Sequence, residues 1–304
     1  MSKNTLGKVY VIGASSFLGS SFYNFLKKKK ISVTGTYYSK KISNLEYFDL
    51  SKFHQSSLVK RIKSGDIVFL FSSLSNVNWV YKNKKISYKF NVFLTINFFK
   101  VLIKKNIKIV FISTAEVFDG YKGNYHEKSL PNPLCYYGVT KYKVEKFLKN
   151  SNYKNYLIVR TGQNISYDIK QNCMISKIYK TLQEADAKMA FDSKFNLTYL
   201  GDLCVSLFRL VFNKHKSKQK IFHISSQEII SRTTLADTII KFSKFKNKNY
   251  KKINFRNIKY LEPRARFNNL LNKYTINIYK HKFKKVKDVI KKKVMILDSN
   301  EKYN

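Results

Sequence analysis

Tyr137 and Lys141 lie four residues apart in Tyr137-Gly138-Val139-Thr140-Lys141, and Ser113-Thr114 ends an apolar run upstream. Residues four apart share a helix face, so this spacing puts a phenol and an ammonium in one small site. A phenol near its ordinary pKa of ~10 is a poor proton shuttle at neutral pH, and a fixed positive charge beside it draws that pKa down. On this reading Lys141 makes Tyr137 usable as an acid, and the Thr114 hydroxyl holds the carbonyl oxygen that Tyr137 protonates. The pair alone carries little weight in a chain with 22 tyrosines and 59 basic residues, where Tyr38, Tyr142 and Tyr250 also have basic neighbours. Its weight comes from what surrounds it.

Gly13-Ala14-Ser15-Ser16-Phe17-Leu18-Gly19 follows a short apolar run, Val9 to Ile12, and opens a helical pattern. That is the setting of a dinucleotide-phosphate turn. Gly13 permits the tight turn, the helix N-terminus offers N–H groups to a pyrophosphate, and Gly19 lets helix and strand pack closely. Gly13, Ser15, Ser16, Phe17, Leu18 and Gly19 are therefore expected around the pyrophosphate. Ser16 occupies the middle position of a G-x-x-G-x-x-G pattern, where its side chain either narrows the approach or bonds a phosphate itself. After the second strand, Ser39-Lys40-Lys41 stands where NAD sites place a carboxylate, with no acid until Glu46. Ser39 and Lys40 suit a 2′-phosphate, which favours NADPH over NADH. Asp49 and Leu50 are expected to flank the adenine.

These groups need a frame. Strand patterns at Val9 to Ile12, Ile31 to Tyr37, Ile67 to Phe71, Ile107 to Ile112 and Tyr156 to Arg160 alternate with helical patterns at Phe17 to Lys30, Ile86 to Asn106 and Val139 to Lys149. Continuous apolar strands between helices predict an α/β fold, a doubly wound parallel sheet (Rossmann fold) with a smaller C-terminal substrate-binding lobe. Residues 1–160 are read as the dinucleotide-binding domain and 161–304 as the lobe. The lobe is expected to hold helices at Asn172 to Glu184, Asp202 to Phe212, Ser231 to Phe242 and Lys282 to Lys292. A strand at Ile221 to Ile224 is free to return to the first sheet.

Composition narrows the classes. Apolar content of 44% suits a globular protein, and uninterrupted apolar runs such as Ile67 to Phe71 fall far short of the ~20 residues that span a bilayer. No transmembrane helix is predicted, and a start that lacks an apolar leader is read as cytoplasmic. Cys135, Cys173 and Cys204 are odd in number and widely spaced, which argues against a disulfide framework or a zinc site. No metal is expected. The net charge of +41 attracts polyanions, yet only seven of the basic residues are arginine, the residue that reads phosphates and bases bidentately. Lysine rises here together with Asn, Ile, Tyr and Phe, as an A+T-rich coding bias produces, so no specific nucleic-acid partner is expected.

The segments Ile112-Ser113-Thr114-Ala115-Glu116-Val117-Phe118-Asp119-Gly120, Tyr125-His126-Glu127 and Pro131 to Lys141, with Glu145, resemble the extended short-chain dehydrogenases/reductases. Within them the chain is most similar to the dTDP-4-dehydrorhamnose reductase branch. The resemblance continues through Arg160-Thr161, Thr198 to Asp202, Phe222 to Ser225 and Arg264 to Leu271. It implies that Tyr137 is the catalytic acid, that Lys141 tunes it and binds the nicotinamide ribose, and that Thr114 binds the substrate oxygen. Ser72 and Ser73 would sit beside the cofactor and Asn91 near the lysine, while Arg264 and Arg266 would contact the nucleotide-sugar end. It also implies a nucleotide-sugar substrate and a homodimer as the common assembly.

Departures from the branch concentrate at the substrate end. Its Asp-Tyr after the threonine is Ala115-Glu116 here, which places the Glu116 carboxylate near the substrate. Its Ser-Trp after Arg-Thr is Gly162-Gln163, and its alanines after the third strand are Ser72-Ser73. The expectation is an NADPH-dependent reductase of a nucleotide-linked 4-keto-sugar. The alternatives are an epimerase of the same superfamily and a non-catalytic NAD(P)-binding regulatory subunit.

Overall fold

The computed structural model describes residues 7–169, 171–213, 218–245, 249–273, 275–279 and 281–300. They form two compact units. The first comprises residues 1–117, 135–160 and 218–222, and the second 118–134, 161–217 and 223–304.

The first unit is built on a seven-stranded parallel sheet. In chain order its strands and helices are β1 (Val9–Ile12), α1 (Phe17–Lys28), β2 (Val33–Tyr37), β3 (Glu46–Tyr47), α2 (Ser57–Arg61), β4 (Ile67–Leu70), α3 (Val77–Lys82), α4 (Lys84–Tyr88), α5 (Thr95–Lys104), β5 (Lys108–Thr114), α6 (Tyr136–Asn150) and β6 (Tyr156–Thr161). Across the sheet the order is β3-β2-β1-β4-β5-β6, followed by the strand Ile221–Ile224. This is the doubly wound order, with its topological switch between β1 and β4. Ligands of such sheets bind at the carboxyl ends of the two strands flanking that switch.

Alternation along the strands explains why both faces are covered. Tyr10, Ile12, Val68, Leu70, Ile109, Phe111 and Ile158 join one core with Phe98, Phe99 and Leu102 of α5 and Val144 and Leu148 of α6. The intervening Phe69 meets Phe22 of α1 at 4.8 Å between ring centroids, and Phe71 meets it at 5.8 Å. A strand apolar at every position is what burial on both faces requires.

α4 and α5 run into each other through a π-helical turn, Lys89–Leu94. The resulting Lys84–Lys104 helix is long and apolar enough to cross a membrane by length and composition, although no uninterrupted apolar run betrays it. Val92, Leu94, Phe98, Phe99 and Leu102 are buried, the last four against the sheet, so this is a core helix of the first unit. The helix expected from Val139 begins three residues earlier, at Tyr136. Gly138, a poor helix former, interrupts the pattern in that first turn.

In the second unit Lys194–Tyr199 is the central strand of a small sheet. It pairs with Ile229–Ile230 in antiparallel fashion and with Phe267–Asn268 and Gln163–Ile165 in parallel. Helices Met174–Thr181, Arg232–Phe242 and Val286–Asn300 pack on one another. The last begins four residues later than the basic pattern at Lys282 suggests and runs eight residues further. Val289, Ile290 and Val294 bury its inner face, and Lys293 donates from Nζ to the Asp168 carbonyl at 2.7 Å.

Candidate active site

The turn after β1 has the geometry its glycines imply. Gly13 adopts φ +85°, and a Cβ there would stand 2.7 Å from the backbone nitrogen of Ser72. Gly13 thus lets the loop after β4 come against the loop after β1, at the switch point. A Cβ on Gly19 would stand 2.1 Å from the Gly13 carbonyl oxygen, which is why helix and strand close so tightly here. Ser16 has a structural duty beside the roles weighed for it from sequence. Its Oγ accepts from the Gly19 N–H at 3.2 Å and caps α1. The Ser15 amide bonds the Thr36 carbonyl and the Ser16 amide bonds that of Gly13. Phe17 and Leu18 contribute the first helical amides, which precede the intrahelical ladder.

Ser39 and Lys40 are exposed beyond the end of β2, beside Tyr38, whose ring stacks on Tyr47 at 6.3 Å. Asp49 accepts from both the amide and the hydroxyl of Ser51 at 2.7 Å, and Leu50 is buried. The Asp49 carboxylate therefore has a local capping duty next to any contact with an adenine.

Thr114 ends β5, and its Oγ1 accepts from the Glu116 N–H at 3.2 Å. That turn carries the Glu116 carboxylate back towards α6, where Cys135 donates to Oε2 at 3.6 Å. Tyr137 lies in the first turn of α6, and Ser73, in the loop after β4, donates from Oγ to Asn91 Oδ1 at 3.3 Å. Asn91, held in the π-helical turn, joins the two loops: its Oδ1 accepts from the Leu74 N–H at 2.9 Å and its Nδ2 reaches Thr140 Oγ1 at 3.3 Å. Thr140 in turn donates to the Tyr137 carbonyl at 2.7 Å. Ser73, Asn91, Thr114, Glu116, Tyr137 and Lys141 thus belong to one neighbourhood of the first unit.

The electrostatics depart from the sequence argument. The Tyr137 phenol is pushed well above 10, chiefly by burial; the nearby Ser73 hydroxyl opposes this, and the Glu116 carboxylate and Cys135 add to it. Lys141 does not offset these effects. Its side chain is 4% exposed, its Nζ sits 4.3 Å from the centroid of the Phe111 ring, and burial draws its pKa down to about 7 against the attraction of Glu145. Glu145 itself is buried between Ser113 and Arg160. The spacing Lys141 to Glu145, one further turn along the same face, was the available sign that the lysine's nearest charge partner is a carboxylate.

Arg264 and Arg266 lie in the second unit. The Arg264 guanidinium is 5.9 Å from the Tyr260 ring centroid, and Arg266 pairs with Asp192 at 2.8 Å while covering Phe267. Among the described residues no group of three or more His, Cys, Asp or Glu is arranged to hold a metal. The donor set of the first unit fits a dinucleotide: a glycine turn and a helix N-terminus at the switch point, with a phenol and an amine beyond them.

A doubly wound sheet with a strand-end threonine and a Tyr-x-x-x-Lys helix defines the extended short-chain dehydrogenase/reductase class. The chain belongs to the RmlD substrate binding domain family, whose sequence pattern matches residues 7–297. Among curated proteins it is 27% identical over 146 residues to methionine adenosyltransferase 2 subunit beta of Xenopus tropicalis, covering 48% of this chain and 43% of that protein. It is 28% identical over 134 residues to dTDP-4-dehydrorhamnose reductase of Aggregatibacter actinomycetemcomitans, covering 42% of this chain and 45% of that protein. The matches therefore span less than half the length of these relatives. The crystal structure of dTDP-4-dehydrorhamnose reductase from Bacillus anthracis in complex with NADP superposes with a TM-score of 0.77 at 21% identity, covering 96% of this chain and 99% of that one. At that identity the likeness bears on the fold, and it agrees with the resemblance read from the motifs.

Proposed function

We propose that this chain is an NADPH-dependent reductase of a nucleotide-linked 4-keto-sugar, acting in the cytoplasm. The observation that carries the reading is Tyr137 in the first turn of α6, with Thr114 at a strand end in the same neighbourhood and Lys141 one turn further. Gly13, the α1 N-terminus, Ser39 and Lys40 would hold the dinucleotide, and Lys141 its nicotinamide ribose. When bound, that cofactor supplies the hydride. Thr114 holds the keto oxygen, and Tyr137 gives it a proton. Glu116 is assigned to the substrate end of the first unit, and Arg264 and Arg266 of the second unit are each proposed to bind the sugar nucleotide. Three buried free cysteines agree with a reducing compartment, and a homodimer is the proposed assembly.

The similarity to a methionine adenosyltransferase subunit favours a second reading, a non-catalytic NAD(P)-binding partner. An epimerase is a third, since solved epimerases share the fold. NADPH oxidation with a panel of nucleotide keto-sugars separates these. Reductase activity that falls in Tyr137→Phe supports the proposal. NADPH binding with no turnover of any sugar supports the subunit reading, and return of labelled hydride to the product with no net cofactor oxidation supports the epimerase.

A further inference from the structure

Lys141 ends over the face of an aromatic ring inside the core of the first unit. Its Nζ lies 4.3 Å from the centroid of Phe111, with the lysine 4% and the phenylalanine 1% exposed. The ring is itself fixed. It belongs to β5, three residues before Thr114, and meets Phe99 of α5 edge-on at 5.7 Å and 85°, in the same core as Val144 and Leu148 of α6. An aromatic face carries partial negative charge, and a cation over it is held most strongly where water is excluded.

The charged groups around the lysine leave it in need of such a partner. Glu145, one turn further along α6, is engaged by Arg160 of β6 in two bonds and by Ser113 of β5 in a third, so its charge is already matched by a buried guanidinium. Glu116, after β5, takes a bond from Cys135, and the Tyr137 phenol is neutral. Burial brings the Lys141 pKa to about 7, the range in which a modest attraction decides how much of the lysine is charged.

We propose that Phe111 is a positioning residue of this site: the face of its ring holds the Lys141 ammonium inside the core and keeps the lysine charged for its task behind Tyr137. The inference rests on the reductase reading above. No bond forms or breaks at the ring, which acts only through its fixed charge distribution.

The test replaces Phe111 with mono-, di- and trifluorinated phenylalanine, which weaken the negative face stepwise with little change of shape. The readout is the ε-carbon NMR signal of Lys141 in ¹³C-lysine-labelled, cofactor-free protein, identified by its loss in Lys141→Met. Its titration should step down with each fluorine, by about half to one and a half pH units in all, and F111L, which removes the ring, should fall at the end of the series. In the fluorinated enzymes the alkaline limb of kcat/KM against pH should move down in the same order. A titration that fluorination leaves unmoved overturns the proposal, even where F111L fails to fold. So does a titration that moves while the pH profile of an active enzyme stays in place. Stepwise titration shifts in a protein that reduces no keto-sugar uphold the hold of Phe111 on Lys141 and refute the reductase reading, so the two fail separately.

Discussion

Glu145 receives Arg160 in a two-point contact, Nε to Oε1 at 3.0 Å and Nη2 to Oε2 at 2.6 Å, with both side chains exposed by no more than 1%. Ser113 adds a third bond to Oε1 at 2.6 Å. The pair ties α6, which carries Tyr137 and Lys141, to β5 and β6. Removing one partner of a buried ion pair leaves an uncompensated charge. Arg160→Met should therefore destabilise the protein by roughly 3–5 kcal/mol in urea unfolding. A loss under 1 kcal/mol would show that Ser113 and Lys141 suffice to hold the carboxylate.

Lys141 gives stability a pH dependence of definite sign. Its folded pKa of about 7 lies below its ordinary 10.5, so between these values the unfolded chain binds the proton and the folded one does not. The penalty is full below pH 7, shrinks as pH rises through the window and vanishes above 10.5. Lys141→Met, compared with wild type by denaturant unfolding, should gain relative stability as pH falls from 10.5 to 7. The change should reach roughly 3–5 kcal/mol, and a difference flat in pH would refute the assignment.

Ser16 permits capping and cofactor binding to be separated. Ser16→Ala removes the bond to the Gly19 amide and should cost about 1 kcal/mol. Ser16→Asp keeps a cap acceptor while adding charge that repels a pyrophosphate. It should hold its melting temperature and lose NADPH affinity in a fluorescence titration; unchanged affinity would move the phosphate away from this turn.

Gly13→Ala meets two obstacles, a φ of +85° and a contact of 2.7 Å with backbone. The left-handed conformation alone costs ~1–2 kcal/mol. Thermal unfolding should register at least that much, and NADPH binding should weaken as the β1 and β4 loops part. A neutral substitution would mean that the turn adapts.

Glu116 raises the Tyr137 pKa. With a fluorinated tyrosine placed at position 137 so that the phenol can be titrated by absorbance, Glu116→Gln should shift that titration downward. An upward shift would show that the carboxylate acts through structure and not through its charge.

Much of the first unit was legible because its signals are local. Val9 to Ile12, Gly13 and the Phe22-Leu26 spacing lie within one βα unit, and each agrees with the next. Tyr137 and Lys141 were legible for the same reason. The fate of the lysine's charge was not, since it depends on Phe111 and on the Arg160 partner of Glu145, which come from different elements. The small sheet around Lys194–Tyr199 was illegible for a related reason. Its partners are two or three residues long and arrive from positions 163, 229 and 267, so no periodicity develops. The Lys84–Lys104 helix was legible as the helical pattern from Ile86 to Asn106, while its membrane-like apolarity was masked because polar residues from Ser87 to Lys100 break every apolar run.

The strand Ile221–Ile224 finishes the first sheet sixty residues after β6 has been made. On the ribosome, β6 must wait with an open edge while the intervening chain is synthesised, and such edges recruit the wrong partners. A nascent chain halted at residue 160 should thus be a chaperone client and should aggregate when released. One extended past residue 224 should gain protease resistance within the first unit. The late edge strand sets the earliest moment in synthesis at which a complete seven-stranded sheet can exist.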